Sequence, residues 1–443
     1  MRSITRRRFV KAAGAAGVGL AVVDRRAAWT LMAPSDRVRV AVMGVNSRGH
    51  QLARVFAQQP GAEVAVICDV DGRAMSKTID HVRDLTSVAP KGEADVRRVI
   101  EDPSIDAVVV AAPDHWHAPA AIMAVAAGKH VYLEKPASHN PNEGELLVAA
   151  ANRSKRLVQL GTQRRSWSNV VRAMEQLETG VIGRPYYAAT WYANNRPSIG
   201  RGRETAVPDW LDYELWQGPA PRRSYKDNFI HYEWHWFWHW GTGEVGNNGT
   251  HLLDMARWGL GVGLPTRVTA AGGRYRYDDD WECPDTEMTT WEFADNKMIT
   301  WEGRSCAPHR LDASGAGITF HGEQGTLVID RNGYRVYDLK DELVTEVDDT
   351  AASSDQGTVG PGATLDAVHI ANFLDAIRGE ATLNAPIDEG HKSTMLAHLG
   401  NIASRTGHVL HCDPETGHVK DDPEAAKLWG REYEKGWEPT VTE

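Results

Sequence analysis

The chain is 443 residues long, with 42% apolar and 24% charged residues and a formal net charge of −10. That composition excludes a disulfide-stapled miniprotein and a low-complexity chain, and the acidity argues against a general nucleic-acid binder. The acidity is uneven: residues 1–35 hold seven basic residues and one acid, so the other 408 carry −16.

Five of those basic residues, Arg2, Arg6, Arg7, Arg8 and Lys11, precede an uncharged, Ala- and Gly-rich stretch over 12–23. Twelve residues are too few to span a bilayer as a helix. The run Thr5-Arg6-Arg7-Arg8-Phe9 resembles the twin-arginine export signal. The resemblance implies passage through the twin-arginine machinery, a periplasmic or otherwise exported location, and a cofactor loaded before export. Residues 1–35 are therefore set apart from the fold. The four cysteines, Cys68, Cys283, Cys306 and Cys412, form no C-x-x-C pair. Reduced, buried thiols are expected, because spacing selects none of the pairings.

From residue 37 apolar strands alternate with helical stretches. Strands are expected over 38–43, 63–68, 106–112, 130–133 and 157–160, and helices over 47–58, 71–85, 94–101, 118–127 and 141–153. The stretch 106–112 (DAVVVAA) is nearly all apolar, as when both faces of a sheet are covered. Repeated β-α-β units with short links predict an α/β fold with a doubly wound parallel sheet.

Between the first strand and helix lies Gly44-Val45-Asn46-Ser47-Arg48-Gly49, a G-x-G-x-x-G turn with Asn46 in the place of its middle glycine. After glycine, Asn best tolerates left-handed backbone, so the turn survives the change. The backbone at Gly44, Asn46, Ser47 and Arg48, with the helix N-terminus, suits a pyrophosphate. Asp69 lies 20 residues after Gly49, at the end of the second strand. It suits a ribose 2′-hydroxyl and repels a 2′-phosphate, which favours NAD over NADP.

Further along stand Pro113-Asp114-His115-Trp116-His117 and Glu134-Lys135-Pro136. In order and separation, the fingerprint turn, Asp69, P-D-x-x-H and E-K-P are similar to those of the Gfo/Idh/MocA oxidoreductases, the family of glucose-fructose oxidoreductase and inositol dehydrogenase. The resemblance implies an NAD-binding Rossmann domain over 36–160. It implies a second α/β domain over 161–443, whose open, mostly antiparallel sheet carries the substrate site and oligomer contacts. It places Lys135 beside the nicotinamide and against the reacting oxygen, with Pro136 after a cis bond. It also places Asp114, His117, Glu134 and Gln163 near the cofactor. On its own terms, Lys135 follows a buried strand at the crevice where open α/β sheets bind ligands. An ammonium there can polarise a carbonyl or lower the pKa of an alcohol.

After residue 161 hairpin patterns appear. Strands over 287–293 and 297–302 flank Ala294-Asp295-Asn296, and Asn332-Gly333 marks another turn. Eleven of the 16 tryptophans lie between Trp191 and Trp301, most densely in HYEWHWFWHW over 231–240. That run reads either as a sugar-stacking surface or as aromatic core. His231, His235 and His239 have helical spacing, but aromatics would ring that helix, and no metal site is expected.

GTGEVGNNGTH over 241–251 then leads into a helix over 252–258. Where many members of the resembled family carry D-x-x-x-H, this chain has Asn247 and keeps His251. The resemblance makes His251 the proton-transfer residue, Asn247 a positioning residue and Tyr192 a substrate contact. Helices over 367–378 and 389–405 are expected to pack back towards the nucleotide domain, with Asp348, Asp349 and Asp355 in a solvated loop.

These expectations converge on an oxidoreductase that uses NAD, in preference to NADP, on a CH–OH group of a sugar, sugar derivative or cyclitol. It would form a homo-oligomer and, if exported, retain its nucleotide between turnovers. A second reading is a glycosidase that oxidises its sugar transiently. GNNGTH resembles the G-N-x-Y-P-T-H of the NAD-dependent α-N-acetylgalactosaminidases, and PDHWH their P-W-x-W-H. That branch's Tyr-Pro pair and an upstream Arg are absent from the corresponding positions. An exported sugar-binding protein with a disused cofactor site is the third reading.

Overall fold

The computed structural model describes residues 37–311, 314–330, 333–348 and 362–441. The expected export segment, Asn332, Asp349 and Asp355 lie outside the described residues. The first half runs β1 (Val38–Met43), α1 (Arg48–Ala57), β2 (Ala62–Cys68), α2 (Gly72–Thr86), β3 (Lys91–Glu93) and α3 (Val96–Glu101). It continues with β4 (Ala107–Val110), α4 (Asp114–Ala126), β5 (His130–Leu133), α5 (Pro141–Ser154) and β6 (Val158–Leu160). Its six strands are parallel, in the order β3-β2-β1-β4-β5-β6.

The apolar runs are explained by cover on both faces. Ala41, Val108 and Val110 pack with residues of α4 and α5, whereas Val40, Val42 and Val109 pack with residues of α1. β3 has no such signature, since Lys-Gly-Glu is short, polar and largely exposed. Helix α4 opens at Asp114, four residues before the expected start at 118, and carries Pro119 inside it. A proline has no N–H for the carbonyl four residues back. The freed oxygen, that of His115, instead accepts from Arg431 Nη2 at 2.7 Å.

The second half begins with a 3₁₀ turn over Gln163–Ser166, followed by α6 (Ser168–Glu178), β7 (Pro185–Ala193) and α7 (Tyr213–Gln217). A π-helical turn over Val245–Gly249 runs directly into α8 (Thr250–Leu260). Then come β8 (Arg267–Gly273), β9 (Thr286–Phe293), β10 (Lys297–Arg304), β11 (Ala316–Gly322), β12 (Gly325–Asp330), β13 (Gly333–Asp338) and β14 (Leu343–Val347). The described chain ends with α9 (Ala363–Ile377), α10 (Ile387–Thr406), β15 (Leu410–His411) and α11 (Pro423–Lys427).

The nine-stranded sheet has the order β14-β13-β12-β11-β7-β10-β9-β8-β15 and is antiparallel except where β7 meets β10. Helices cover one of its faces: Leu177, Leu252, Met255 and Leu396 pack with Ile299, Trp301, Ile318 and Phe320. Alternation along β9 buries Thr289, Trp291 and Phe293 and leaves Met288 half exposed on the other face.

Two late segments return to the first half. From α9, Ile370, Phe373 and Leu374 join Leu52, Phe56 and Tyr132 in one apolar cluster. Near the C-terminus, Arg431 pairs at 2.7 Å with the fully buried Glu143, which also accepts from the Tyr433 hydroxyl at 2.9 Å. Trp437 packs edge-on against Trp116, with ring centroids 5.1 Å apart. The four cysteines are buried and free, as expected.

Candidate active site

A cavity of ≈ 290 Å³ opens at the carboxyl ends of β1, β4 and β5 and is closed from above by residues of the second half. At its nucleotide end the chain leaves β1 through Gly44, whose φ of +80° is open to glycine at little cost. A Cβ there would lie 2.7 Å from Ala111 O and from the Ala112 backbone; one at Gly49 would lie 2.0 Å from Gly44 O. The two glycines thus let β1, the start of α1 and the end of β4 close on one another. Asn46 does not share this geometry: it is absent from the positive-φ residues. The reason expected for its tolerance is therefore corrected, because the middle position of this turn requires no left-handed backbone.

Helix α1 starts with no side-chain cap at Ser47 and no acid in its first turn. Its first amide groups are therefore left without a side-chain partner where Ser47 and Arg48 line the cavity, an arrangement suited to phosphate. The Asp69 carboxylate accepts from the amides of Val45 and Asp71, which braces it against the turn. Burial raises its pKa, and those two hydrogen bonds oppose the rise. A carboxylate has about four acceptor positions, so capacity for ribose hydroxyls remains. Glycine cradle, uncapped helix and braced acid together fit a dinucleotide.

The segment above is stitched to the end of β2. Gly72 N donates to Trp210 O at 3.2 Å, Asp212 N to Val70 O at 3.0 Å, and His231 Nε2 lies 2.9 Å from Asp71 Oδ2. Arg73, paired with Asp71, stacks over Trp210 at 3.5 Å.

Deeper in, Glu134 is buried and accepts from Arg48 Nε at 2.8 Å and Gln163 Nε2 at 3.1 Å. Arg48 is also bidentate with Asp366, at 2.7 Å on both bonds. Gln163 Oε1 is buried and without a partner among the described residues, which leaves it free to accept from a bound group. The Lys135–Pro136 peptide is cis. Lys135 Nζ donates to Asn247 O at 2.7 Å and Asn247 Oδ1 at 3.2 Å. Burial lowers its pKa, against the raising effect of Glu134, Asp114 and Glu244. His251 is buried on the same cavity, and neither ring nitrogen has a hydrogen-bond partner among the described residues. Burial, then the Lys135 charge, hold its pKa well below the usual histidine value, so the ring is neutral.

Gly44, Asn46, Ser47, Arg48, Asp69, Asp114, His117, Glu134, Lys135, Gln163, Asn247 and His251 all line this one cavity. Tyr192 does not. It is buried in β7, and its hydroxyl accepts from Asn194 at 2.6 Å and from Arg196 at 3.2 Å, so it props Arg196. Two of the lining residues also brace the wall. His117 has both ring nitrogens on carbonyls, Pro136 O at 2.6 Å and Ala112 O at 2.8 Å, and so ties the turn after β5 to that after β4. Asp114 accepts from Thr242 Oγ1 at 2.6 Å, joining the two halves.

The aromatic run divides. Trp236 and Trp240 are buried in apolar clusters, Tyr232 and His235 line the cavity, and Trp234 does both. Only Glu233–Trp236 is helical, as a 3₁₀ turn, so the helix assumed for the histidine spacing does not form. His231, His235 and His239 take separate partners: Asp71, Tyr232 O and Pro221 O. Sequence reasoning missed Glu244 and Arg196, a buried pair at 2.7 Å beneath Asn247. A Glu three residues before Asn247 in a glycine-rich stretch was the available signal.

Comparison with known proteins agrees with this geometry. Residues 38–162 match the model of an oxidoreductase family with an NAD-binding Rossmann fold, and residues 216–328 match the GFO/IDH/MocA C-terminal domain. A glycosyl hydrolase family 109 protein of Shewanella baltica (strain OS195) is 31% identical over 177 residues, which is 35% of this chain and 39% of that protein. The chain thus spans well under half the length of this curated relative. A levoglucosan dehydrogenase solved with NADH and levoglucosan has a TM-score of 0.66 at 19% identity, covering 85% of this chain and 99% of its own. An aldose-aldose oxidoreductase from Caulobacter crescentus, complexed with glycerol, has a TM-score of 0.64 at 16% identity, with the same coverage. At such identities the two structures speak for the fold. With family models matched in both halves, the sheet order of a Rossmann domain and an open antiparallel sheet behind it, the chain belongs to the Gfo/Idh/MocA family of oxidoreductases.

Proposed function

We propose that the protein interconverts a CH–OH and a C=O group on a sugar, sugar derivative or cyclitol, with NAD as its cofactor. The observation that carries this reading is the pairing of Lys135 and His251 on one cavity that also holds the glycine turn and Asp69. NAD, when bound, supplies the acceptor or donor of hydride. The chain's own residues do the rest. Lys135 spends two N–H bonds on Asn247 and has a third for the substrate oxygen, whose developing negative charge an ammonium stabilises. His251, kept neutral, takes the hydroxyl proton during oxidation and returns it during reduction. Tyr232, Trp234 and His235 give the substrate end ring faces on which C–H surfaces of a sugar stack. Asp69 supports NAD over NADP, since a carboxylate repels a 2′-phosphate. The segment pinned at Asp71 and Trp210 supports retention of the nucleotide between turnovers.

The test is a panel of aldoses, polyols and cyclitols, read as NADH absorbance on the wild type and on Lys135→Met and His251→Gln. Reduction of bound NAD by at least one polyol, abolished by Lys135→Met, is expected. No spectral change with any of them sinks the reading. The family 109 relative supports a second reading, hydrolysis of a glycoside through transient oxidation. Aryl glycosides in D₂O separate the two, because aglycone release with deuterium beside the oxidised carbon occurs only in hydrolysis.

Export through the twin-arginine route belongs to the same proposal and rests on Arg6, Arg7 and Arg8. Replacing Arg6 and Arg7 by Lys is expected to leave the protein in the cytoplasm, and unchanged periplasmic recovery refutes the assignment. Assembly as a homo-oligomer is tested by light scattering, where a monomer mass refutes it.

A further inference from the structure

We propose that Glu244 is a positioning residue for Lys135: through the side-chain amide of Asn247 it fixes the direction of the lysine's hydrogen bond. The proposal rests on the oxidoreductase reading, in which Lys135 meets the reacting oxygen.

Glu244 is 4% exposed, yet it is surrounded by donors. Arg196 reaches it through Nε at 2.7 Å and Nη2 at 3.2 Å, Ser305 Oγ at 3.0 Å and Asn247 Nδ2 at 3.3 Å, with Asn248 Nδ2 also bonded. An ionised carboxylate only accepts, so an amide can face it only with its NH₂ group. The Asn247 oxygen is thereby turned the other way, to 3.2 Å from Lys135 Nζ. Without the carboxylate, either end of the amide could face the lysine, and one of them is a donor that repels it. The π-helical turn Val245–Gly249 lets the neighbouring Asn247 and Asn248 both reach the one carboxylate.

Electrostatics act in the same direction. Burial lowers the Lys135 pKa; Glu134, Asp114 and Glu244, which it faces, favour its charge against that burial, and Arg48 opposes it. His251 and His235 also face it, and its charge bears on both. Arg196 compensates Glu244 behind the wall and is itself held among the rings of Tyr232 and Trp236, at 5.4 and 4.8 Å. The carboxylate expected at position 247 thus stands at 244 and works through an amide.

The test reads Lys135 itself. The full chain, as wild type, Glu244→Gln and Asn247→Ala with matched nucleotide content, is labelled with trace acetic anhydride between about pH 6 and 11, the window around a lysine pKa. Mass spectrometry follows the Lys135 peptide, with exposed Lys420 as reference. Both variants are expected to move the Lys135 midpoint down by about 0.5–1 pH unit, a three- to tenfold gain in labelling at about pH 8. Turnover of Glu244→Gln should show kcat reduced about tenfold or more, with KM within about threefold of wild type. If Glu244→Gln does not fold, Asn247→Ala decides alone. A Lys135 midpoint unchanged in the folded variants overturns the proposal, even where thermal stability falls. Labelling needs no substrate, so failure of the oxidoreductase reading shows separately, as absent wild-type turnover.

Discussion

Gly49→Ala is expected to disable nucleotide binding without unfolding the protein. A Cβ at position 49 would stand 2.0 Å from Gly44 O, 2.9 Å from Gly44 C and 3.3 Å from Ala111 Cβ. Ordinary contact begins near 3.5 Å, so roughly 1.5 Å must be found. Neither side yields cheaply. Gly44 N is fixed on Cys68 O at 2.9 Å, and α1 is held by Leu52, Ala53 and Phe56, each 0% exposed. Overpacking of this kind costs about 1–3 kcal/mol, and here it falls on the turn that forms the phosphate cradle. A shift above 1 Å carries an amide–phosphate hydrogen bond of about 2.9 Å beyond its useful range. Losing two such bonds at about 1.5 kcal/mol each removes about 3 kcal/mol, or roughly a hundredfold in affinity. Titration calorimetry of NADH against nucleotide-free protein measures this, with scanning calorimetry as the folding check. Gly263→Ala is the control, because that position has open space around it. If Gly49→Ala binds NADH within about twofold of wild type, the cradle is wrongly placed.

Lys135→Met is expected to lower kcat by about a thousandfold or more while NADH affinity stays within about threefold, since the lysine acts on substrate rather than nucleotide. Stopped-flow reduction and NADH titration measure the two, and parallel loss of both contradicts the assignment. Arg431→Met leaves the buried Glu143 without its partner at 2.7 Å and should cost about 3–5 kcal/mol in urea unfolding, most of it recovered by adding Glu143→Gln. A loss below about 1 kcal/mol would falsify the role of this pair. His398 is buried, with its pKa lowered to about 3 by burial, so the unfolded chain binds the extra proton first. Its contribution is complete above the unfolded pKa of about 6.5 and is lost as pH falls from there towards about 3. Replacing it with Leu should flatten the dependence of stability on pH between about 7 and 5 by roughly 1 kcal/mol per unit, and an unaltered slope refutes this.

Where the chain is apolar and both neighbours are turns, sequence and structure agree closely: the strands around Val42, Val109 and Leu133 fall where the pattern puts them, because two-sided burial leaves no polar position to mislead. Lys135 and His251 are legible for a different reason. Each sits at the end of an element in a short motif that resembles a family signature, and that resemblance rather than the residue type singles it out. Glu244 and Arg196 lie 48 residues apart and pair only through the fold, so the glycine-rich stretch that holds Glu244 marks the acid but not its partner. Tyr192 shows the limit of alternation, which tells that a strand residue points inward but not whether a cavity lies there. The aromatic run defeats periodicity altogether, because a 3₁₀ turn set between other turns gives no constant step between Trp234, Trp236 and Trp240. At Asn46 the motif matched while the reason offered for it did not, since residue identity was taken as a report on φ.

The return of α9 and of Arg431 to the first half sets an order of manufacture. A ribosome adds about 5–20 residues per second, so Glu143 emerges roughly 15–60 s before its counter-ion. In that interval the Phe56–Tyr132 side of the parallel sheet also lacks the rings and aliphatic groups of Phe373 and Ile370. The nascent nucleotide half is thus an unfinished surface that holdases can recognise, and it matures only once α9 and Arg431 have emerged. A gene fragment ending near residue 160 would encode that intermediate, not a free-standing dinucleotide domain.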